Sequence, residues 1–380
     1  MKKSKFALLF SIIIFSIWVL FLLFSSYNHF NEKGHINYLS ERSMEVSSKN
    51  LTQEITIAAI GDILIHDRVY IDAKEGNSYN FDKMLEKVTP ALKKPDILVA
   101  NEETIVAGES IGLSGYPAFN GPVEIADSIK KAGVDIVTTA NNHSLDRGVE
   151  AQKLSLQNLD DIKLPHVGTF MNEEDQQQLR ILSSNGIKVA FLSYTYGLNG
   201  IPIPKGKEYI VNMIDFDKMK KEINRAKKEA DLIVMGIHWG MEYERFPSIE
   251  QRDIAKFLVD EGVDIIFGSH PHVLQPAEWL EGKDGNKSLV VYSLGNFLSG
   301  QDEQYRDLGG MVSVRVQKSW ENNKTKITLL DPSFYPTFVA SEAEKNYKME
   351  PLLDSEKAKK KYSETIYDDM MNHVLNSLEH

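Results

Sequence analysis

The chain contains no cysteine. Disulfide staples, thiolate metal sites, cysteine nucleophiles and a cysteine-linked lipid anchor are therefore excluded. Any metal must be held by His, Asp, Glu or Asn. An excess of positive charge is missing too: 43 Lys and Arg stand against 54 Asp and Glu, for a formal net charge of −11. General nucleic-acid binding needs a basic footprint, so this balance argues against it. No internal repeat is visible. What remains is a globular composition, 380 residues with 42% hydrophobic and 26% charged, enough for one large or two modest domains.

One long hydrophobic run is present. Lys2, Lys3 and Lys5 precede an uncharged stretch from Phe6 to Phe24, which is long enough to cross a bilayer as a helix. The positive flank places the N-terminus in the cytoplasm and everything after Phe24 outside the cell membrane. The rival is a cleaved signal peptide, which has a shorter apolar core and a small-x-small site after it. Ser25-Ser26-Tyr27-Asn28 offers no such site, so residues 1–24 read as a cytoplasmic flank and an uncleaved single-pass anchor. Residues 25–54 are polar, without a period, and read as a stalk.

From Ile55 the chain alternates apolar runs with helical patterns. The runs are Ile55 to Ile60, Ile97 to Ala100, Ile136 to Thr139, Val189 to Leu192, Leu232 to Met235, Val263 to Phe267 and Leu289 to Tyr292. Helical patterns cover Ile125 to Ala132, Met219 to Ala230 and Ile249 to Glu261. This alternation predicts an α/β domain over residues 55–340 with a mostly parallel or mixed sheet. Gly310 to Val316 and Thr325 to Leu330 read as an antiparallel pair finishing the sheet, joined at Asn322-Asn323. From Ser341 the strand signals stop. Residues 341–380 read as a charged helical tail, with Tyr362, Ile366, Met370, Val374 and Leu378 on one face and packed on its own domain. Val106 to Pro122, with four glycines, reads either as a mobile loop over a site or as an ordinary long loop.

Ligands of α/β sheets bind outside the carboxyl ends of the strands, and the polar clusters of this chain fall there. Gly61-Asp62 ends the first run, Asn101-Glu102-Glu103 the second and Asn141-Asn142-His143 the third. His238 follows the fifth, Gly268-Ser269-His270-Pro271-His272 the sixth and Gly295-Asn296 the last. Asp62, Glu103, Asn142, His238, His270 and His272 together make a mixed oxygen and nitrogen set suited to zinc, manganese or iron. Two divalent ions need a carboxylate to bridge them, and such a pair can clamp a phosphoryl group and acidify water. His143, next to a ligand, can protonate a leaving group or stabilise charge developing on oxygen. Trp239, Glu242 and Asn296 are placed in the substrate pocket.

An aspartate after the first strand, an acid after the second, Asn-His, a lone His and a final His-x-His, in that order, resemble the calcineurin-like metallophosphoesterases. More narrowly the chain looks like the CapA family of bacterial capsule and poly-γ-glutamate synthesis. The stretches that carry the resemblance are Gly61-Asp62-Ile63-Leu64, Asn101-Glu102-Glu103, Ala140-Asn141-Asn142-His143 with Asp146 and Gly148, His238-Trp239-Gly240 with Glu242, Gly268 to Val273, and Tyr292 to Phe297. The resemblance implies a four-layer α/β/β/α sandwich of metallophosphoesterase type behind the N-terminal transmembrane helix. It also implies a centre of two divalent ions, held by the six residues named. The superfamily's Asp-x-His is absent, and His66, four residues beyond Asp62, is the weaker stand-in. Glu103 takes the bridging position by the Asn-x-Glu pattern, with Asn101 and Glu102 as weaker alternatives. His143 carries over as the catalytic imidazole. Ser144 stands where an acid usually follows it, and Asp146 substitutes from one turn later.

The function this implies is a part in synthesis or export of an anionic polymer, poly-γ-glutamate, alongside other synthase or export subunits. Two alternatives stand beside it: a metal-dependent hydrolase of a phosphodiester or an envelope amide, and a non-catalytic scaffold for a polymer synthase.

Overall fold

The computed structural model describes residues 52–321 and 324–378. The expected membrane helix, nearly all of the expected stalk and the Asn322-Asn323 turn lie outside the described residues. Among those residues no helix is long and apolar enough to cross a membrane.

In chain order the main elements begin with β1 (Thr52–Leu64), β2 (Ile97–Glu102), α1 (Glu124–Ala132), β3 (Ile136–Thr138), α2 (Gly148–Asp161) and β4 (His166–Val167). Next come β5 (Arg180–Ser184), β6 (Ile187–Thr195), α3 (Phe216–Glu229), β7 (Leu232–His238), α4 (Ile249–Glu261), β8 (Ile265–Ser269), β9 (Leu274–Glu281) and β10 (Lys287–Leu294). The last are β11 (Asn296–Ser299), β12 (Leu308–Glu321), β13 (Lys324–Glu342), β14 (Lys345–Pro351), α5 (Glu356–Lys361) and α6 (Ile366–Leu375).

They form two mixed sheets. One runs β14-β13-β12-β1-β2-β3-β4, with β11 also paired to β1; the other runs β9-β10-β8-β7-β6-β5. The centre of each sheet is parallel: β1 with β2 and β2 with β3 in the first, β6 with β7 and β7 with β8 in the second. Antiparallel strands flank these centres, β12 beside β1 and β9 beside β10.

Strand alternation decides which residues meet. Ile55, Ile57 and Ala59 of β1 pack with Val189 and Phe191 of β6, Val234 of β7 and Phe267 of β8 in one core between the sheets. The intervening Ala58 and Ile60 face the other way, onto Ile125 and Ile129 of α1 and Leu156 of α2. On the second sheet Ile233 and Met235 face outward onto Ile223 of α3 and Leu258 of α4. The result is helix, sheet, sheet, helix. Strands buried on both faces read as continuous apolar runs, and each fully buried aliphatic side chain contributes about 1.5–3 kcal/mol.

Three expectations are corrected. The first strand starts at Thr52, so the expected stalk boundary at residue 54 falls inside β1. The region from Ser341 is not only helical: Lys345–Pro351 pairs antiparallel with β13, with Tyr347 and Met349 buried. The tail helix is two helices, α5 and α6, with Tyr362 at the C-cap of α5. Ile366, Met370 and Val374 of α6 join the core between the sheets, and the segment belongs to the same unit as the rest.

Candidate metal centre

The parallel strands of both sheets end at one edge of the sandwich, and the polar clusters gather there. Gly61 makes this convergence feasible. The β1–β2 register shifts between Ile60 and Asp62, and a Cβ at Gly61 would lie 2.0 Å from the Gly295 carbonyl. The close approach lets Asp62 N–H donate to that carbonyl at 2.9 Å, so Asp62 is fixed against the turn between β10 and β11. At the far wall His270 and His272 have φ of 96° and 57°. Left-handed backbone at non-glycine residues costs on the order of 1–3 kcal/mol each and clusters at functional sites.

Asp62, Glu103, Asn142, His143, His238, His270 and His272 are all buried. Asp62 Oδ1 accepts from Asn101 Nδ2 at 2.8 Å, and Asp62 Oδ2 lies 3.1 Å from His272 Nδ1. Asn296 Oδ1 lies 3.1 Å from the same nitrogen. Glu103 Oε1 stands 3.5 Å from His238 Nε2 and 3.7 Å from His272 Nε2. His238 Nε2 lies 2.8 Å from Asn142 Oδ1, and its Nδ1 is 2.9 Å from Ser269 Oγ. Ser269 can therefore hold a proton on Nδ1 and leave Nε2 free as a ligand.

Among the described residues three sets of donor atoms have the spacing of ion ligands: Glu103, His238 and His270; Asp62, Glu103 and His272; and Glu242, His270 and His272. Glu103 belongs to both buried sets. Its Oε1 is buried with no hydrogen-bond partner, as is His270 Nδ1. Buried polar atoms are normally paired, so a carboxylate oxygen left bare between two imidazoles is the feature a cation would satisfy. The electrostatics agree. Burial pushes the Glu103 carboxyl up, against the charge of His272. Burial would lower His272, but Glu103 and Asp62 outweigh it and lift the imidazole to about 9. Burial, then the charges of His272 and His143, push His270 down to about 3. Burial and the neighbouring His270 also push His238 down. Divalent charge at this point would favour the carboxylate and the neutral imidazoles that ligation requires.

His143 lies beside the set rather than in it. Its Nδ1 donates to Asp146 Oδ2 at 2.7 Å, and the same oxygen accepts the Phe119 amide at 2.7 Å. Phe119 packs edge-on against the imidazole, with ring centres 4.7 Å apart. The 106–122 loop thus reaches the site through Phe119, and Arg147 pins it by donating to the Ile111 and Gly112 carbonyls.

Several expected site residues sit elsewhere. Trp239 follows inward-facing His238 on the strand, so alternation turns it outward. It is buried with Ile254 and Leu258, and its Nε1 donates to the Tyr292 carbonyl at 2.9 Å. It is core, not pocket. Glu102 is displaced by the same parity: it faces away from Asn101 and Glu103, and neither carboxylate oxygen has a partner. Asn101 donates to Asp62 and Glu103 from its amide nitrogen, so it orients ligands and is not one. His66 is in none of the three sets; its Nδ1 lies 3.0 Å from the Leu64 carbonyl and its ring packs on Phe119. Asn296 is fully buried beneath His272 rather than open to a substrate. Glu242 is exposed and within reach of His270 and His272.

Two contributors escape a reading of the sequence. Tyr196 packs against His270, with ring centres 4.6 Å apart, and Asn199 accepts from Asn142 Nδ2 at 3.1 Å. Both follow β6, whose end at Thr195 pairs with His238. The polar end of that apolar run was the available signal.

Comparison with known proteins places the chain in a family. The model of the bacterial capsule synthesis protein PGA_cap matches residues 56–301. The chain is 32% identical over 264 residues to the capsule biosynthesis protein CapA of Bacillus anthracis, covering 66% of this chain and 61% of that protein. It is 28% identical over 273 residues to the PGA biosynthesis protein CapA of Bacillus subtilis, covering 70% of this chain and 68% of that one. Among solved structures, a calcineurin-like phosphoesterase of Bacillus subtilis aligns at a TM-score of 0.47 and 16% identity, over 75% of this chain and 91% of that one. The chain belongs to the PGA_cap family of bacterial capsule synthesis proteins.

Proposed function

We propose that this protein is a metal-dependent member of the machinery that makes or exports an anionic capsule polymer of the poly-γ-glutamate kind. It works outside the membrane, held there by residues 6–24 and beside other synthase or export subunits. Family membership and the role of the Bacillus subtilis relative, PGA biosynthesis, support the polymer. One observation carries the metal: Glu103 belongs to two sets of ion-ligand spacing, and its buried, unpartnered Oε1 lies between His238 of one and His272 of the other.

Asp62, Glu103 and His272 would hold one ion; Glu103, Asn142, His238 and His270 would hold the other. Two divalent ions bound there would act as Lewis acids and acidify water. The chain's own part is to position and to move a proton. Glu103 and Asp62 arrive ordered because Asn101 bonds both. Asp146 anchors His143 Nδ1 and fixes the ring, leaving Nε2 to meet a leaving group or a developing negative charge. Asp146 touches His143 and not the substrate, so it positions, and His143 is the catalytic residue.

The test is polymer output in cells carrying Asp62→Ala or His143→Ala at matched protein levels. Loss of output in both supports the catalytic reading. Normal output from His143→Ala with normal metal content leaves a scaffold, and normal output from both removes the metal from the function.

A further inference from the structure

The third set of donors, Glu242 with His270 and His272, takes one histidine from each of the two buried sets. Glu103 reaches the histidine pair from the buried side. Glu242 is exposed and reaches it from solvent. A carboxylate therefore stands on each side of the two imidazoles.

Glu242 is not a loose surface acid. It lies on the segment between β7 and α4, and that segment is tied to the site by its backbone. Gly240 turns the chain at φ 84°, where a Cβ would lie 2.6 Å from the Gln251 side chain. Gln251 is itself fixed, closing a capping box with Ser248 at the start of α4 and donating to Gln275 at 2.8 Å. Gln275 in turn donates to the Glu244 carbonyl at 2.8 Å. On the other side of Glu242, Tyr243 N–H donates to the Pro271 carbonyl at 2.7 Å, between the two histidines. The carboxylate is thus delivered to the His270–His272 turn by a braced loop. Its charge is felt there, since it helps raise His272 and Glu103.

The ion set needs such a donor. Leu64 stands two residues beyond Asp62, where an imidazole would complete an Asp-x-His pair. The Asp62 set is left with three protein donors, and a closed zinc or manganese site takes four or more. We propose that Glu242 is a metal ligand that closes the centre from the solvent side, adding a fourth protein donor to the ion of the Asp62, Glu103 and His272 set. This rests on the metal reading above. Exposure makes Glu242 the ligand that exchanges most readily, so an incoming carboxylate or phosphate of the substrate would displace it.

The test is Mn²⁺ binding by the full-length chain in detergent, comparing wild type, Glu242→Gln and Glu244→Gln. Stoichiometry is read by elemental analysis and affinity by calorimetry. Glu244 is exposed on the same loop and outside every donor set, so its variant binds as wild type. Glu242→Gln should weaken one ion by at least the roughly 10–100-fold that supporting residues of metal ligands are worth. Its metal-free melting temperature should not change, because the side chain is exposed. Wild-type affinity for all ions in Glu242→Gln overturns the proposal while leaving the metal centre in place. A wild-type chain that binds no Mn²⁺ or Zn²⁺ overturns both.

Discussion

Asp146 Oδ2 lies 2.7 Å from His143 Nδ1, and this pair lets the proposed catalysis be tested apart from metal binding. Neither residue belongs to a donor set. His143→Ala should leave metal content nearly unchanged while slowing turnover of a model phosphodiester by on the order of 10²–10⁴-fold, the usual worth of a positioned acid. Asp146→Asn should have a smaller effect on turnover and none on metal content, because the amide no longer selects the same imidazole tautomer. Wild-type turnover in Asp146→Asn would mean that Asp146 does not position His143.

Glu102 gives a prediction about stability. Burial alone pushes its carboxyl up to about 8 from an ordinary value of 4.5. The folded state therefore binds this proton more tightly than the unfolded state. The stabilisation is fully present below about pH 4.5 and is lost as pH rises through about 8. At one pKa unit per 1.36 kcal/mol the swing is bounded above by about 5 kcal/mol. Glu102→Gln has no proton to lose. In metal-free protein its melting temperature should therefore gain on wild type steadily from pH 5 to pH 8.5. A gap that stays constant over that range would show that Glu102 does not titrate there.

Topology follows from the charges around the apolar run. Lys2, Lys3 and Lys5 should keep the N-terminus inside. Protease added to intact wall-free cells should then digest residues 55–380. Full protection of that region contradicts an outer-face domain, and release of a shortened soluble form would show that the anchor is cleaved.

Much of the site was legible because strand ends leave a strong mark: an apolar run, then Asp, Asn or His where the chain turns. Asp62, Glu103, Asn142, His238, His270 and His272 carry that mark, and folding brings them together, Asn142 through its contact with His238. What misled was parity. Glu102 and Trp239 each neighbour an inward-facing residue, and a period of two sends them to the opposite face of the sheet. Asn101 and Asn296 share polarity with ligands but orient them, a distinction that lies in hydrogen-bond direction and not in residue type. In the fold, β14 was hidden because its charged residues sit on an edge strand open to water, leaving only Tyr347 and Met349 to signal the strand. Tyr362 fits a helical period with α6 but belongs to the end of α5, and periodicity alone cannot see the break.

Glu103 joins the two halves of the proposed centre, since it alone belongs to both buried donor sets. The most direct measurement is metal content per chain of purified full-length wild type and Glu103→Ala, by elemental analysis after equilibration with Mn²⁺ or Zn²⁺. Wild type should bind two ions, and Glu103→Ala should lose or markedly weaken both while the chain stays folded. A Glu103→Ala chain that retains both ions at wild-type affinity would contradict a centre bridged by Glu103.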